Sequence, residues 1–143
     1  MITEDYISFK TAKLLKEKGF DETCRAFWKK WNGEINLCDC NSSHTFEYCH
    51  NTMLEKYNDD EELNIAAPTL QMAMKWLREV YNLVIQIVIV PHTTVTMEQK
   101  YYVFVVCKDR RNLVFRSDHP HDRYSTYEEA AEAAIKYCLE KLI

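Results

Sequence analysis

The segment 68–90 constrains the fold most, because it has the pattern of a helix that runs directly into a strand. Apolar residues recur there at the spacing of one helical face, which predicts a helix from Pro68 to Tyr81. Asn82 suits the left-handed conformation that ends a helix. Leu83–Val90 then holds seven aliphatic residues in eight positions, many of them β-branched. This density predicts a strand that is buried on both faces and central in its sheet.

The N-terminal third has the signals of a helix followed by a hairpin. Ser8 is a predicted N-cap of the first helix, and Gly19 is the left-handed residue expected just past its end. Asn32 and Gly33 stand between aromatic and aliphatic runs, which is the strongest short-range signal for a two-residue hairpin turn. We therefore expect strands at about 24–31 and 34–38.

The C-terminal part predicts further strands and a capped helix. Strands at 100–107 and 112–116 follow the segment 83–90 through short connections, which favours a three-stranded antiparallel meander. Thr126 and Glu129 have the spacing of a capping box, so a helix begins there and its apolar stripe continues to Leu142.

Together these signals predict one α+β domain over residues 1–143. Its antiparallel sheet combines the N-terminal hairpin with the three-strand meander, and three helices pack mainly on one face. The segment 39–67 is predicted to be irregular, with a short helix around 45–57. A connection of this length inside a compact domain is often functional.

Composition and charge narrow the class of protein. A chain of 143 residues suits one domain, and 47% hydrophobic residues supply a core. The net charge of −4 argues against a partner such as long nucleic acid. No apolar run is long enough to span a membrane, and the acidic start of the chain lacks the form of a signal peptide. These features predict a cytoplasmic protein whose six cysteines are thiols or metal ligands rather than disulfides, although an even count is compatible with three bridges.

One cluster of residues has the composition of a zinc site. Five nitrogen or sulfur ligands lie within 13 residues: Cys38, Cys40, His44, Cys49 and His50. Zinc requires four such groups in a tetrahedron, and a loop without its own core gains most from one. The spacing lacks the paired C-x2-C knuckles of established zinc modules, and burial in an apolar core explains a cysteine equally well.

A second set of residues suits a bound ligand. Trp28 and Trp31 lie among basic residues on a predicted strand, where an exposed aromatic ring can stack a base or a nucleotide. Arg110, Arg111 and Arg116 lie around the last hairpin and can form a basic patch for a phosphate-bearing ligand or an acidic protein. The alternatives are that both faces of the strand are covered, or the tryptophans pack on a helix, and that neighbouring aspartates neutralise the arginines.

Catalysis has less support than binding. The histidines and carboxylates that could form an acid–base site lie in loops around the sheet: His92, Asp118, His119, His121 and Asp122. Cys107, at the end of a predicted strand, could supply a nucleophile. Nothing in their spacing fixes a catalytic arrangement, and the chain has no nucleophile elbow, H-E-x-x-H or phosphate-loop pattern. The sequence favours a non-enzymatic function.

Three segments carry a resemblance to known sequences. They are DYISFKTAKLLKEKGF at 5–20, PTLQMAMKWLREVYN at 68–82 and YSTYEEAAEAAIKYCLEKLI at 124–143, about a third of the chain. They resemble a widespread set of short uncharacterised proteins encoded by gut-bacterial genomes, their phages and mobile elements. The resemblance implies a cytosolic accessory protein and assigns no catalytic residue. It suits a protein that blocks a host enzyme or sequesters a nucleotide signal.

Three hypotheses follow from these observations. The first is a binding protein that uses exposed aromatics and the Arg110–Arg116 region on a protein or nucleotide-like ligand, often with a homodimer seam. The second is a small interaction module stabilised by Zn. The third is a small enzyme built on a loop histidine.

Overall fold

The computed structural model describes residues 3–40, 49–91, 100–109, 111–117 and 123–143. Its elements in chain order are α1 (Phe9–Glu17), β1 (Ala26–Trp31), β2 (Glu34–Asp39), α2 (Asn51–Glu55), β3 (Glu62–Ala67), α3 (Leu70–Tyr81), β4 (Leu83–Pro91), β5 (Lys100–Lys108), β6 (Asn112–Arg116), α4 (Tyr127–Tyr137) and a π-helical turn (Cys138–Leu142). The α+β class is thereby confirmed. No helix in these described ranges combines the length and the apolar character needed to cross a bilayer.

The strands form two antiparallel sheets of three strands each. Their orders are β2-β1-β3 and β4-β5-β6, so the N-terminal hairpin and the meander belong to separate sheets. The described residues contain four α-helices. Three correspond to the helices that the sequence predicted to pack on the sheet, and α2 falls within the short helix predicted around 45–57. The chain divides into two compact units, Met1–Met72 and Ala73–Ile143, and the boundary falls within α3.

The first unit is built on β1, which pairs with β2 on one side and with β3 on the other. The hairpin turn is the predicted one, because Asn32 and Gly33 both have positive φ (56° and 79°). Helix α1 packs on β3 and buries Ala12 and Leu15.

Part of the segment predicted to be irregular is regular structure. Within 39–67, residues 51–55 form α2 and residues 62–67 form β3, which has contacts with α2. The sequence of β3, ELNIAA, alternates polar and apolar residues only over its first four positions. It becomes a strand because β1 offers it a complete antiparallel register, from Ala26 opposite Ala67 to Trp31 opposite Glu62.

The second unit has β5 at the centre of its sheet, which corrects the prediction that 83–90 is the central strand. β5 pairs with β4 and with β6, whereas β4 pairs with β5 alone among the described strands. The expected burial on both faces is also wrong. Within Leu83–Val90 only Leu83 is buried, and Ile89 is 54% exposed. Helix α4 packs on β4 and β5.

The predicted capping residues at three helix ends are confirmed. Ser8 Oγ accepts from the Thr11 N–H (3.3 Å) at the start of α1, and Thr126 Oγ1 accepts from the Glu129 N–H (3.1 Å) at the start of α4. Asn82 has φ 57° at the end of α3. These interactions link residues within a few positions of each other, so the sequence alone determines them.

Candidate functional site

The two outer edges of the first sheet differ in how their backbone groups are satisfied. On β3, the N–H groups of Ala66 and Asn64 donate to the side-chain oxygens of Asn51 (2.9 Å) and Asn58 (2.6 Å). Two residues before Asn64 on the same edge, the Glu62 N–H donates to Asp59 Oδ1 (2.8 Å). Asparagine and aspartate side chains thus cover this edge in place of another strand.

Among the residues that the structure describes, no side chain covers the outer edge of β2 in this way. The Cys40 N–H donates to the Arg25 carbonyl (2.9 Å), which sets the alternation of hydrogen bonds along the hairpin. By that alternation the N–H and C=O groups of Ile35 and Leu37 point away from β1. No described strand lies beside them, so two residues of β2 offer backbone groups to an incoming strand.

The side chains of β2 are exposed as well. Ile35 is 44% exposed and Leu37 is 42% exposed, and two residues apart on a strand they share one face. Natural proteins guard sheet edges with charges, prolines or bulges, and an aliphatic pair on an edge strand departs from that pattern. The edge of β2 is therefore a candidate surface for pairing with another chain.

A cleft lies at the tip of the same hairpin. It has a volume of about 740 Å³ and is lined by Lys30, Trp31, Asn32, Gly33, Asp59, Asp60, Glu61, Glu62 and Leu63. Trp31 is 54% exposed, so its ring is available to a ligand. Four carboxylates line the cleft together with one lysine, which makes it a negatively charged site with an aromatic wall.

Two of these carboxylates have partners within the protein. Asp59 accepts from the N–H groups of Glu61 and Glu62 (2.8 Å each), and Glu62 pairs with Lys29 (3.1 Å). Contacts in and beside the turn that precedes β3 thus fix the positions of these two carboxylates in the cleft.

The two tryptophans that the sequence singled out have different environments. Trp28 is half-buried, its indole N–H donates to the Ile7 carbonyl (2.9 Å), and its ring packs edge-on against Phe9 (6.5 Å between centroids). Adjacent positions alternate between the faces of a strand, so Trp28 and Trp31 lie on opposite faces of the sheet. Trp31 is the one whose ring is exposed.

The predicted basic patch is spread along β6. Arg111 and Arg116 are exposed at opposite ends of the strand, about 16 Å apart along an extended backbone. Arg110 lies outside the described residues. Arg123 stacks on the ring of Tyr101 (4.3 Å). These arginines belong to the second unit and Trp28 and Trp31 to the first.

The cysteines correct one prediction. Cys40 and Cys49 form a disulfide, with Cα atoms 6.3 Å apart, where the sequence predicted thiols or metal ligands. The pairing arises from two backbone hydrogen bonds. The Cys24 N–H donates to the Cys49 carbonyl in an isolated β-bridge, and the Cys40 N–H donates to the carbonyl of Arg25, the residue next to Cys24. A disulfide uses both sulfur atoms, so neither can bind zinc while it persists.

The remaining proposed zinc ligands are dispersed. Cys38 is half-exposed on β2, and His50 Nδ1 lies 3.2 Å from Asp21 Oδ1. His44 lies outside the described residues. In the parts of the chain that the structure describes, no group of three or more His, Cys, Asp or Glu side chains is arranged to hold a metal ion. The zinc module stays a prediction.

A smaller cavity beside Cys24 has few features of a catalytic site. It measures about 270 Å³, and Tyr6, Arg25 and Met72 contribute to its lining. Burial raises the pKa of the Cys24 thiol to about 12, with a further contribution from Glu22. The thiol is therefore protonated at neutral pH and is a poor nucleophile. The loop histidines 92, 119 and 121 lie outside the described residues.

The sequence pointed to Trp31 but missed the edge beside it. Whether a strand lies at the edge of a sheet depends on which strands pair, and local sequence does not determine that. One signal was present: Asn51, Asn58 and Asp59 are residue types that hydrogen-bond to backbone, and they precede the strand whose edge they cover.

Comparison of the chain with family models, with curated proteins and with solved structures finds no match.

Proposed function

We propose that this protein is a non-enzymatic binding protein whose recognition surface is the β1–β2 hairpin. Its partner is a protein that supplies an extended, basic segment. The observation that supports this proposal is the contrast between the two edges of one sheet. Side chains cover β3, whereas no described strand or side chain covers β2 at the exposed residues Ile35 and Leu37.

An extended partner segment matches the backbone of β2. Such a segment would pair with the N–H and C=O groups of Ile35 and Leu37, making four hydrogen bonds worth about 1 kcal/mol each. Its own aliphatic side chains would pack on the exposed pair and remove apolar surface from water. Main-chain bonds then give affinity, and the side chains give specificity.

Charge distinguishes between the two kinds of ligand that the sequence suggested. The cleft beside Trp31 is lined by four carboxylates, which repel the phosphates of a nucleotide. Two like charges about 4 Å apart cost about 1 kcal/mol in water and more at a partly buried surface. A lysine or arginine is instead attracted by the carboxylates and by the face of the indole ring. The cleft therefore favours a basic protein segment over a nucleotide.

The proposal agrees with the resemblance, which implies an accessory protein and suits one that binds and blocks a host protein. It assigns the contact to named residues, so it can be tested without knowing the host. Binding by strand addition also needs no cofactor.

A random peptide library, displayed and selected against the purified protein, tests this proposal. The Ile35→Lys/Leu37→Lys variant serves for counter-selection, and Leu113→Lys, on an exposed position of β6, is the matched control. We expect enriched peptides that alternate aliphatic residues and carry lysine or arginine. They should bind the wild type and the control at least about tenfold more tightly than the edge variant.

Amide hydrogen exchange on the best peptide complex locates the contact. Protection of the Ile35 and Leu37 amides supports strand addition, and quenching of Trp31 fluorescence, absent in Trp31→Phe, supports the cleft. Enrichment of acidic peptides, or equal binding to the edge variant, contradicts the proposal.

A further inference from the structure

The second unit has an edge of its own along β4, where no strand of the described ranges lies on the outer side. The Asp109 N–H donates to the Asn82 carbonyl (3.1 Å), and the β4–β5 register continues from this pair. Hydrogen bonds alternate along an antiparallel pair, so even-numbered residues of β4 bond to β5. Tyr102, opposite Ile89, bonds instead to Tyr124 on its other side, which agrees with this alternation. The N–H and C=O groups of Leu83, Ile85, Ile87 and Ile89 therefore point away from the sheet.

The side chains along this edge carry no charge. Leu83–Val90 has no Asp, Glu, Lys or Arg, and Pro91 stands only at its end. The bulge in this sheet lies between Val106 and Cys107, where β5 meets β6, so it does not protect β4. Val88 is 38% exposed and Ile89 is 54% exposed. A long, uncharged, apolar edge strand is the type that pairs with another chain.

We propose that β4 pairs with β4 of a second copy of this protein. The two strands run antiparallel about a two-fold axis and join the two sheets into one of six strands, β6-β5-β4-β4-β5-β6. A two-fold contact uses the same surface on both copies, so it closes at the dimer and leaves no β4 edge exposed.

The register follows from the length of the strand and from the alternation of its hydrogen bonds. An axis through Ile87 makes the whole of Leu83–Pro91 overlap in both copies, since the two ends are equally far from it. Ile87 then faces Ile87 of the second copy, and Ile85 faces Ile89. These residues carry the outward-pointing backbone groups, so each facing pair exchanges two hydrogen bonds. On the other face Gln86 lies opposite Val88.

Electrostatics favours a second copy at β4 and disfavours it at β2. An antiparallel pair of β2 strands brings together two copies of a strand that carries two carboxylates, Glu34 and Asp39, and no lysine or arginine, and like charges repel. β4 meets no such repulsion in any register. The two edges therefore suit different occupants, a basic partner segment at β2 and an identical strand at β4.

Sedimentation of the purified protein across a range of concentrations tests the dimer. We expect a monomer–dimer equilibrium in the wild type, and a dissociation constant raised at least about tenfold in Ile89→Lys, because lysine is a residue that blocks edge pairing. Ile89 is more than half exposed, so this change leaves the fold intact. Leu113→Lys, which is 62% exposed on β6, is the matched control and should dimerise like the wild type.

Three outcomes would overturn the dimer. They are a wild type that stays monomeric at the highest concentration reached, an Ile89→Lys variant that dimerises as well as the wild type, and assemblies that keep growing beyond two copies.

Cysteine cross-linking tests the register. Ile87→Cys places the thiols of the two copies opposite each other, with Cα atoms about 5.5 Å apart, a separation that a disulfide spans. In this register position 89 of one copy lies about 13 Å from position 89 of the other, so the two thiols of Ile89→Cys are too far apart to be linked. Under a mild oxidant, peptide mapping should find the 87–87 link in high yield and the 89–89 link at background. The opposite result rules out an axis through Ile87.

Discussion

Asp21 shows how one side chain can hold an element from a distant part of the sequence. Its carboxylate accepts from the Thr52 N–H (2.7 Å) and from the Thr52 hydroxyl (2.6 Å), and His50 lies 3.2 Å away. Partial burial by itself raises the pKa of Asp21, but the hydrogen bonds from Thr52 and the interaction with His50 outweigh it and lower the pKa. The carboxylate acts at the start of α2, where His50 provides no side-chain cap.

The pH dependence of stability tests this role. A lowered pKa means that the folded state prefers the ionised carboxylate, so the stabilisation is complete above the unfolded-state pKa and is lost as pH falls through the folded-state value. We expect urea unfolding to show the wild type more stable than Asp21→Asn above about pH 5, with the difference shrinking below about pH 4. A difference that stays constant down to acid pH would exclude the ionised carboxylate as its source.

Asn51 is the residue on which the covered edge of β3 depends. It is 5% exposed, donates to the Phe20 carbonyl (2.7 Å) and accepts from the Ala66 N–H (2.9 Å). We expect Asn51→Ala to lower the free energy of unfolding by about 3 kcal/mol, because two buried backbone groups lose their partners. Glu55→Ala, on the exposed side of α2, is the control and should change it by less than about 0.5 kcal/mol. Similar losses in both variants would contradict the assignment.

At the scale of elements, helices and strands respond to different information. The ends of α1 and α4 are fixed by residues adjacent to them, and so is the turn between β1 and β2. Strand pairing is not fixed by adjacent residues, because a strand depends on partners far along the chain. β3 is the clearest case, since ELNIAA becomes a strand only through its register with β1.

The cap of α4 gives a prediction at this scale. Thr126 Oγ1 accepts from the Glu129 N–H, and Glu129 Oε2 accepts from the Ser125 N–H (3.3 Å). We expect Thr126→Ala to destabilise the helix by about 1 kcal/mol, measured by amide exchange across α4. Ser125→Ala keeps the backbone donor and should have no comparable effect. Equal effects in the two variants would show that the Thr126 cap is not responsible.

At the scale of the whole molecule, the disulfide is the one covalent constraint among the described residues. It joins Cys40, at the end of β2, to Cys49, next to α2, across a separation of nine residues. It also bears on the compartment, since disulfides persist in oxidising surroundings. The cytoplasmic location predicted from the sequence stays a prediction that the state of these two cysteines can test.

Thiol counting and unfolding test the disulfide together. Under denaturing, non-reducing conditions we expect four reactive thiols, those of Cys24, Cys38, Cys107 and Cys138. Reduction, or the Cys40→Ser/Cys49→Ser variant, should lower the free energy of unfolding by about 2–3 kcal/mol because the unfolded chain gains freedom. Cys38→Ser is the control and should keep the wild-type stability. Six reactive thiols in protein prepared without reductant would contradict the pairing.

The sequence by itself determined the features that depend on near neighbours. Ser8, Thr126 and Asn82 end or begin helices through contacts a few residues away, and Asn32-Gly33 forms the turn because both positions need positive φ. The α+β class followed from these local signals. The sequence also predicts Trp28 and Trp31 as candidate contact residues, from their place among basic residues on a strand, and this stays a prediction.

The tertiary structure decided which edges are open and which cysteines meet. The run of aliphatic residues in 83–90 predicts a central strand, but the N-terminal hairpin and the meander form separate sheets, and β4 has one neighbour among the described strands. The sequence predicts Cys40 and Cys49 to be thiols or metal ligands, but backbone hydrogen bonds in the first unit bring them together as a disulfide. Both outcomes depend on pairing between distant segments, and many pairings satisfy the same local preferences. Only the folded chain selects one of them.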